Sequence, residues 1–185
     1  MEKINQVIDA ALEESKIPYA AYAVTNSKET LLSGSVGFTD LEKTSPLNSD
    51  AVFRIASMSK ALTSTAFMLL AQEKNLDLHS PAENYIDGLK NLQVADLKDG
   101  QISYSKPDSK VTLHHLLTHT SGFGYDFHHE TLSHLLLDEK IVSLLDKEGK
   151  FLEAPLIEQP GKFWHYGIGV GWIGKIIENL SGQSL

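Results

Sequence analysis

The residues of this sequence best suited to chemistry are a serine and a lysine three positions apart, Ser57 and Lys60. They lie in the stretch FRIASMSKALTS, where a helical pattern begins. Residues three apart share a helix face, so the amine can reach the hydroxyl. Free N–H groups and the positive end of the helix dipole stabilise negative charge at this place. The pair is therefore a candidate nucleophile and base for acyl transfer.

Lys60 can act as a base only after it loses its proton. Its pKa would have to fall from about 10.4 by roughly 3, at a cost of about 4 kcal/mol. Burial produces shifts of this size, and the neighbours Ile55, Met58, Ala61 and Leu62 favour a buried amine. The alternative is that the serine and lysine are ordinary residues of a helix start.

The same spacing recurs in Ser103 and Lys106, which provide an internal comparison. Pro107 follows directly and disfavours helical geometry at that lysine. The surrounding segment is polar and typical of a loop. We therefore interpret the second copy as chance.

The elements that must position Ser57 are predicted to be a helix, a hairpin and a long helical region. Apolar residues at helical spacing over 4–12 predict an amphipathic helix with one buried stripe. Strands over 19–25 and 30–36 predict a hairpin covered by that helix. From residue 57, about five helical turns have apolar or small residues on both faces, which predicts a buried central helix.

Further along, turn and cap signals divide the chain. They predict a capped helix start at Ser80, a loop over 98–110, a short helix from Thr112 to Leu117, a helix over 131–145, a turn over 159–161 and a last helix over 169–180. We expect one domain, with its sheet region in 1–50 and a mainly helical region in 51–185.

Composition excludes several classes of partner. The 185 residues carry a net charge of −8, which argues against nucleic acid and anionic membranes. The chain has no cysteine. No run approaches the roughly 20 apolar residues of a membrane span, and the N-terminus does not read as a signal peptide. The expected location is the cytoplasm, or the periplasm or exterior if a leader was removed.

Three ordered motifs carry a family resemblance. Residues 53–60 (FRIASMSK) resemble the first motif of the serine β-lactamase and penicillin-binding protein superfamily. Residues 111–122 (VTLHHLLTHTSG) and 160–166 (PGKFWHY) resemble two further motifs of the branch that holds class C β-lactamases, D-alanyl-D-alanine carboxypeptidases and family VIII carboxylesterases. The resemblance covers nearly the whole chain.

The resemblance implies an α/β fold in which an antiparallel sheet is flanked by helices and joined by a helical region. It also implies a catalytic Tyr166 beside Ser57 and Lys60, and a reaction without a cofactor. The tyrosine could take the serine proton and pass one to the leaving group. Tyr166 and Lys60 would titrate together, and the sequence leaves open which of them holds the proton. The alternative for Tyr166 is a core residue packed beside Phe163 and Trp164. Phe123 and Tyr125, together with Trp164, are candidates for binding the substrate; for the first two, plain core packing is the alternative.

The chain departs from the family pattern after Tyr166. Serine commonly follows that tyrosine, and in β-lactamases and carboxypeptidases an asparagine comes second; here Gly167 and Ile168 stand there. The missing amide favours an ester substrate, which Trp164 also favours. A serine carboxylesterase for short-chain esters is thus predicted. The alternatives are a β-lactamase or D-alanyl-D-alanine carboxypeptidase and, in another class, a non-catalytic scaffold or binding protein.

Two histidines four apart, His115 and His119, have a spacing that can bind zinc on a helix. Leu116 stands where a zinc-protease motif has glutamate, and no acidic third ligand is evident. We expect no metal there and interpret this segment as structure that lines the site.

The proteins that this chain resembles carry a further motif near their C-terminus, Lys-Thr-Gly or His-x-Gly. Neither form follows Tyr166 in this sequence. The strand that carries it supplies a second oxyanion N–H. We expect the chain to be the N-terminal part of its domain, without the C-terminal strands. It would be inactive alone and completed by a C-terminal chain or by a second copy.

Overall fold

The structure is a computed structural model that describes residues 2–185. Its helices and strands are α1 (Glu2–Ser15), β1 (Tyr19–Thr25), β2 (Thr30–Gly37), α2 (Ser59–Glu73), β3 (Val94–Lys98), β4 (Gln101–Ser105), α3 (Leu113–Leu117), α4 (Glu130–Leu137) and α5 (Gly169–Ser181). They fall into two compact units, which divide between Ile55 and Ala56.

The first unit consists of α1 and the predicted hairpin. β1 and β2 pair antiparallel from Tyr19 opposite Gly37 to Thr25 opposite Thr30. The helix packs on this hairpin, and the Tyr22 hydroxyl donates a hydrogen bond to the Asn5 side chain. The helix, hairpin and covering arrangement are confirmed. The prediction of a buried stripe is wrong for this structure: Ile4, Val7 and Ala11 are exposed, and Ile8 and Leu12 are half-buried.

α2 differs from its prediction in both its start and its burial. Ser57 lies in a 3₁₀ turn, Ala56–Met58, and the α-helix begins at Ser59. One face buries Phe67 and Ala71, and the helix packs against α5. Leu62 on another face is 66% exposed. The prediction of a helix buried all round is wrong for this structure, because only one apolar face has a neighbour among the described residues.

A second hairpin replaces the predicted loop over 98–110. β3 and β4 pair antiparallel, and Lys98 faces Gln101 across a two-residue turn. That turn is Asp99-Gly100, with φ of 50° and 74°. Positive φ at both positions is the requirement of a type I′ hairpin turn, for which Asp-Gly is a strong signal.

Two predicted helix boundaries are also wrong. Only a 3₁₀ turn, Ala82–Asn84, follows Ser80. The Ser80 hydroxyl donates to the Asp77 carbonyl at 2.7 Å instead of capping a helix. The helix predicted over 131–145 ends with α4 at Leu137. By contrast, the short helix capped by Thr112 is confirmed, with a capping box to His115.

The core of the second unit is built from α2, α3, α4 and α5. Its fully buried side chains include Phe67, Leu113, Leu116, Leu132, Leu135, Ile173 and Ile176. α5, close to its predicted bounds, contacts both α2 and α3. The core therefore fixes α2, which carries Lys60, against the helix that follows Tyr166. No helix among residues 2–185 has the length and apolar character needed to cross a membrane.

The Thr-Ser-Gly turn that follows α3 ties the chain to the segment before Tyr166. The Thr120 carbonyl accepts from the Gly161 N–H at 2.7 Å, and the Gly122 carbonyl accepts from the Ile157 N–H at 2.8 Å. Gly122 has φ of 88°, and a Cβ there would lie 2.1 Å from the Glu158 carbonyl oxygen. This turn therefore requires glycine.

Gly122→Ala is expected to destabilise the protein by roughly 2 kcal/mol more than Gly149→Ala, because it adds an overpacking cost. Gly149 is the matched control: its φ is 76°, but nothing lies within 4 Å of an added Cβ. Each substitution has the cost of a left-handed alanine, about 1–2 kcal/mol. Urea unfolding measures the difference, and equal losses would contradict the close approach at Gly122.

Candidate active site

Ser57 is presented by a sharp turn at the start of the second unit. Ala56, directly before it, has φ of 45°, a left-handed conformation that costs a non-glycine residue about 1–2 kcal/mol. The serine is exposed and precedes α2 by one turn. Met58 gives the helix no side-chain cap. The positive end of the α2 dipole therefore lies beside the serine.

Lys60 joins the serine to two aromatic rings. Its Nζ donates to Ser57 Oγ at 3.2 Å. The same Nζ lies 4.8 Å from the centroid of the Tyr166 ring and 5.5 Å from that of Tyr125. The structure thus brings together the three predicted catalytic residues and adds Tyr125 to the group.

Lys60 keeps its proton, a point that the sequence left open between Lys60 and Tyr166. Burial is the largest single influence and lowers the pKa of Lys60, but hydrogen bonds to Tyr166 and Tyr125 raise it, and the net pKa lies above its ordinary value. The neighbours Met58 and Leu62, predicted to bury the amine, are exposed. Lys60 is therefore an ammonium at neutral pH.

The pKa of Tyr166 is shifted in the opposite direction from that of Lys60. Two hydrogen bonds lower the pKa of the Tyr166 phenol below its ordinary value of 10.0. The bond with Lys60 has the larger effect and the bond with Ser57 the second largest. An ammonium beside a phenol favours the phenolate. Because Ser57 Oγ accepts from Lys60, its own hydrogen is free for donation to the phenol oxygen. Tyr166 is thus the better base of the pair.

A cavity of about 430 Å³ opens beside this group. It is lined by Gly124, Tyr125, His128, His129, Ile157, Trp164, His165 and Tyr166. Trp164 is 64% exposed, and its ring stacks on that of Tyr166 at 6.3 Å between centroids. Two of the predicted substrate-binding residues, Tyr125 and Trp164, therefore line one cavity next to the group of Ser57, Lys60 and Tyr166.

Phe123 does not line this cavity. It is 1% exposed and stacks on Trp172 with 6.5 Å between ring centroids. Phe123 is therefore a core residue, the alternative to substrate binding, because its ring packs in the interior of the second unit. A larger cavity of about 640 Å³, against Glu83 and Lys110, contains none of the predicted site residues.

The two residues after Tyr166 are fixed by packing. Ile168 is 5% exposed and belongs to the core. A Cβ on Gly167 would lie 2.4 Å from the Phe123 carbonyl oxygen. Neither position presents a polar side chain, so the amide-binding group that the family pattern places here has no counterpart at these two residues.

The two histidines with zinc-like spacing bind different parts of the backbone. His115 Nδ1 accepts from the Thr112 N–H at 3.3 Å, and His119 Nδ1 accepts from the Gly167 N–H at 3.3 Å. Within residues 2–185, no cluster of three potential metal-ligating side chains occurs. His119 lies 4.8 Å from the Tyr166 ring, between centroids, as expected of a residue that lines the site.

Comparison with protein families identifies the class of this chain. Residues 4–185 match the family model described as Beta-lactamase. The chain therefore belongs to the beta-lactamase family. The resemblance carried by the three motifs, and the serine β-lactamase and penicillin-binding protein fold that it implies, are confirmed.

Curated relatives include an esterase and acyltransferases. Esterase EstB of Burkholderia gladioli is 30% identical over 99% of this chain and 46% of its own length. Monacolin J acid methylbutanoyltransferase of Aspergillus terreus is 34% identical over 76% of this chain and 35% of its own length. The chain spans less than half the length of these two relatives, both of which are named as enzymes.

Solved structures agree on the fold. A LovD6 mutant of simvastatin synthase from Aspergillus terreus superposes with a TM-score of 0.78 and 29% identity, over 95% of this chain and 43% of that one. A penicillin-binding protein homologue from Pyrococcus abyssi gives a TM-score of 0.62 at 22% identity, over 99% and 40% of the two chains. The second likeness bears on the fold alone.

Replacing Lys60 with methionine is expected to raise the pKa of Tyr166 towards 10.0, because the ammonium is the largest cause that lowers it. Lys60→Arg keeps the charge and is the matched control; the pKa of Tyr166 is expected to rise less in it than in Lys60→Met. Phenolate absorbance during an alkaline titration, taken as the difference from the same protein with Tyr166→Phe, isolates this one phenol. An unchanged midpoint in Lys60→Met would contradict the ammonium–phenol interaction.

Proposed function

We propose that this chain carries the acyl-transfer centre of a serine carboxylesterase that acts on short-chain esters. The observation that supports it most is the group of three side chains in which Lys60 donates to Ser57 Oγ and lies beside the Tyr166 ring. A nucleophile and a proton acceptor are the parts that covalent acyl transfer requires, and the fixed positive charge of Lys60 activates the acceptor.

In the proposed acylation step, Ser57 Oγ attacks the ester carbonyl and forms a new C–O bond. Its proton passes to the phenolate of Tyr166, and the Lys60 ammonium stabilises the negative charge before and during transfer. The Ser57 backbone N–H, beside the start of α2, is the donor proposed for the oxyanion. The intermediate collapses as the C–O bond to the alcohol breaks, and Tyr166 returns the proton to the leaving oxygen.

Deacylation follows the same proton path in reverse. Tyr166 as phenolate takes a proton from water while the water oxygen attacks the acyl carbonyl. The bond to Ser57 Oγ then breaks, and the proton returns from Tyr166 to the serine oxygen. The acid leaves, and the three side chains recover their starting protonation. These steps need no cofactor.

An ester substrate is supported by the residues after Tyr166 and by the relatives. Ile168 is buried in the core, so it offers no hydrogen bonds to a peptide-like amide. The lining of the cavity includes Tyr125, Ile157 and Trp164, whose apolar surface suits a small apolar acyl group. Esterase EstB, by its name, acts on esters. A β-lactamase or D-alanyl-D-alanine carboxypeptidase is the alternative.

Acyl transfer to an alcohol is a second candidate function. The relatives named as acyltransferases, such as monacolin J acid methylbutanoyltransferase, favour it. Chemically, the acyl-enzyme needs only to meet an alcohol in place of water. The alternative outside enzymes is a non-catalytic scaffold or binding protein, in which Ser57 would be unreactive.

We also propose that the site is completed by a further polypeptide, either a separate C-terminal chain or a second copy. Met58, Leu62 and Leu69 leave apolar surface exposed along and directly before α2, which is typical of a surface that binds a partner.

A cytoplasmic location stays a prediction.

A substrate panel tests the reaction class. The chain alone is expected to be inactive; once the site is completed, we expect hydrolysis of nitrophenyl acetate and little hydrolysis of nitrocefin, because Gly167 and Ile168 provide no amide-binding side chain. Assays over a hundredfold range of protein concentration test completion by a second copy, in which case activity per molecule rises with concentration. Added alcohol tests transfer against hydrolysis. Preference for nitrocefin would overturn the ester assignment.

Covalent labelling tests the nucleophile. Ser57→Ala is expected to abolish labelling by a fluorophosphonate or an ester probe, because no other serine in the group is activated. Ser103→Ala is the matched control, since that serine also precedes a lysine by three but lies on strand β4. Mass spectrometry locates the label. Labelling of the Ser57→Ala protein equal to that of the parent would overturn the assignment.

A further inference from the structure

His119 holds the backbone on both sides of Tyr166. Its carbonyl accepts from the His165 N–H at 2.8 Å, and its Nδ1 accepts from the Gly167 N–H at 3.3 Å. The two N–H groups that flank the tyrosine in sequence are therefore bound to one residue. The imidazole also contacts the Tyr166 ring, with 4.8 Å between centroids.

The conformation of His119 is one that glycine normally adopts. α3 ends at Leu117, and the Thr120 N–H returns to the His115 carbonyl at 3.0 Å. This is the bond pattern of a helix end whose next residue is left-handed. His119 occupies that position with φ of 58°, where glycine is usual and asparagine is the next choice. The backbone alone does not explain a histidine here, so its side chain is the reason to look for a role.

We propose that His119 is a positioning residue that holds the Tyr166 phenol against Lys60 and Ser57, through the hydrogen bond between its Nδ1 and the Gly167 N–H. The catalytic consequence rests on the proposed function, but the placement of the phenol does not. Gly167 has no room for a Cβ against the Phe123 backbone, so the segment is confined on one side by packing and on the other by the imidazole.

The imidazole is suited to accept this bond. Burial first, and the charge of Lys60 second, lower the pKa of His119 below its ordinary value. The ring is therefore neutral at neutral pH, and Nδ1 has a free lone pair while Nε2 carries the hydrogen. Lys60 and Tyr166 are the titratable side chains that the structure places next to this ring.

Two substitutions separate the hydrogen bond from the backbone conformation. His119→Gly keeps the left-handed conformation at no steric cost and removes the acceptor. His119→Asn tolerates that conformation and places Oδ1 on Cγ, where histidine has Nδ1. His115→Asn is a control, because His115 Nδ1 also accepts a backbone N–H but at the start of α3. Urea unfolding verifies that each variant folds.

The first readout is the pKa of Tyr166, measured by difference from the matching Tyr166→Phe protein. Loss of the imidazole reduces the burial that raises this pKa, so a rise in the pKa of Tyr166 reports movement of the phenol away from Lys60. We expect a rise of roughly 1 pH unit in His119→Gly, and little change in His119→Asn or His115→Asn. An unchanged midpoint in folded His119→Gly, or an equal rise in His119→Asn, would overturn the proposal.

The second readout uses the unmutated chain and so does not depend on the folding of a variant. In ¹⁵N spectra, protection of the Gly167 amide from exchange is expected to fall as pH drops through the His119 midpoint, because a protonated Nδ1 cannot accept. Protection that does not follow the His119 titration would contradict the bond.

Kinetics add a third readout where the esterase is active. His119→Gly is expected to lower kcat by up to about 10²-fold, the effect of a misplaced group, with a smaller change in KM and recovery in His119→Asn. Absence of esterase activity that persists after the site is completed would count against the proposed function alone, since the titration and the amide measurement would still decide the role of His119.

Discussion

The positive charge of Lys60 is the interaction on which the rest of the site depends. One ammonium contacts the serine oxygen and lies over two tyrosine rings. Because partial burial does not outweigh these contacts, the charge persists. A persistent charge reverses the simplest view of a serine–lysine pair: in the proposed mechanism the lysine does not take the proton but makes a neighbouring phenol able to take it.

The fold keeps that charge next to the phenol by joining distant parts of the chain. α2 carries Lys60 and packs against α5, which begins directly after the Tyr166 segment. The turn after α3 pairs with the chain over 157–165. Tyr166 is thus held by a core contact on one side and by backbone hydrogen bonds on the other, although it lies more than 100 residues after Lys60.

Much of this arrangement could be predicted from the sequence, for reasons that differ by element. Ser57 and Lys60 share a turn, so local spacing alone indicated their contact. Tyr166 came only from the family motif, because nothing local links it to Lys60. The sequence left open which of Lys60 and Tyr166 holds the proton. The burial of Lys60 expected from its apolar neighbours was only partly right, since neighbours in sequence are not always neighbours in space: Leu62 points away from the packed core. The β3–β4 hairpin was missed because the polar composition of this segment resembled a loop. Asp99-Gly100 was nevertheless a usable signal for a hairpin turn.

The role of His119 could not be read from the zinc-like spacing that drew attention to it. Its signal is a histidine just after a helix end, where glycine is usual. The predicted end at Leu117 made that place visible, but the hydrogen bonds of His119 to the Tyr166 segment depend on the tertiary structure. Tyr125 was a candidate for the substrate pocket, but its nearness to Lys60 depends on the path of the chain after the Thr-Ser-Gly turn.

The two tryptophans of the chain occupy opposite environments. Trp164 is exposed at the cavity and stacks on Tyr166, whereas Trp172 is 7% exposed within the core. A water-soluble quencher such as iodide therefore reaches one indole and not the other. The fluorescence of this protein divides into a part that reports on occupancy of the cavity and a part that reports on the integrity of the fold, so the two processes can be followed separately in one sample without an added label.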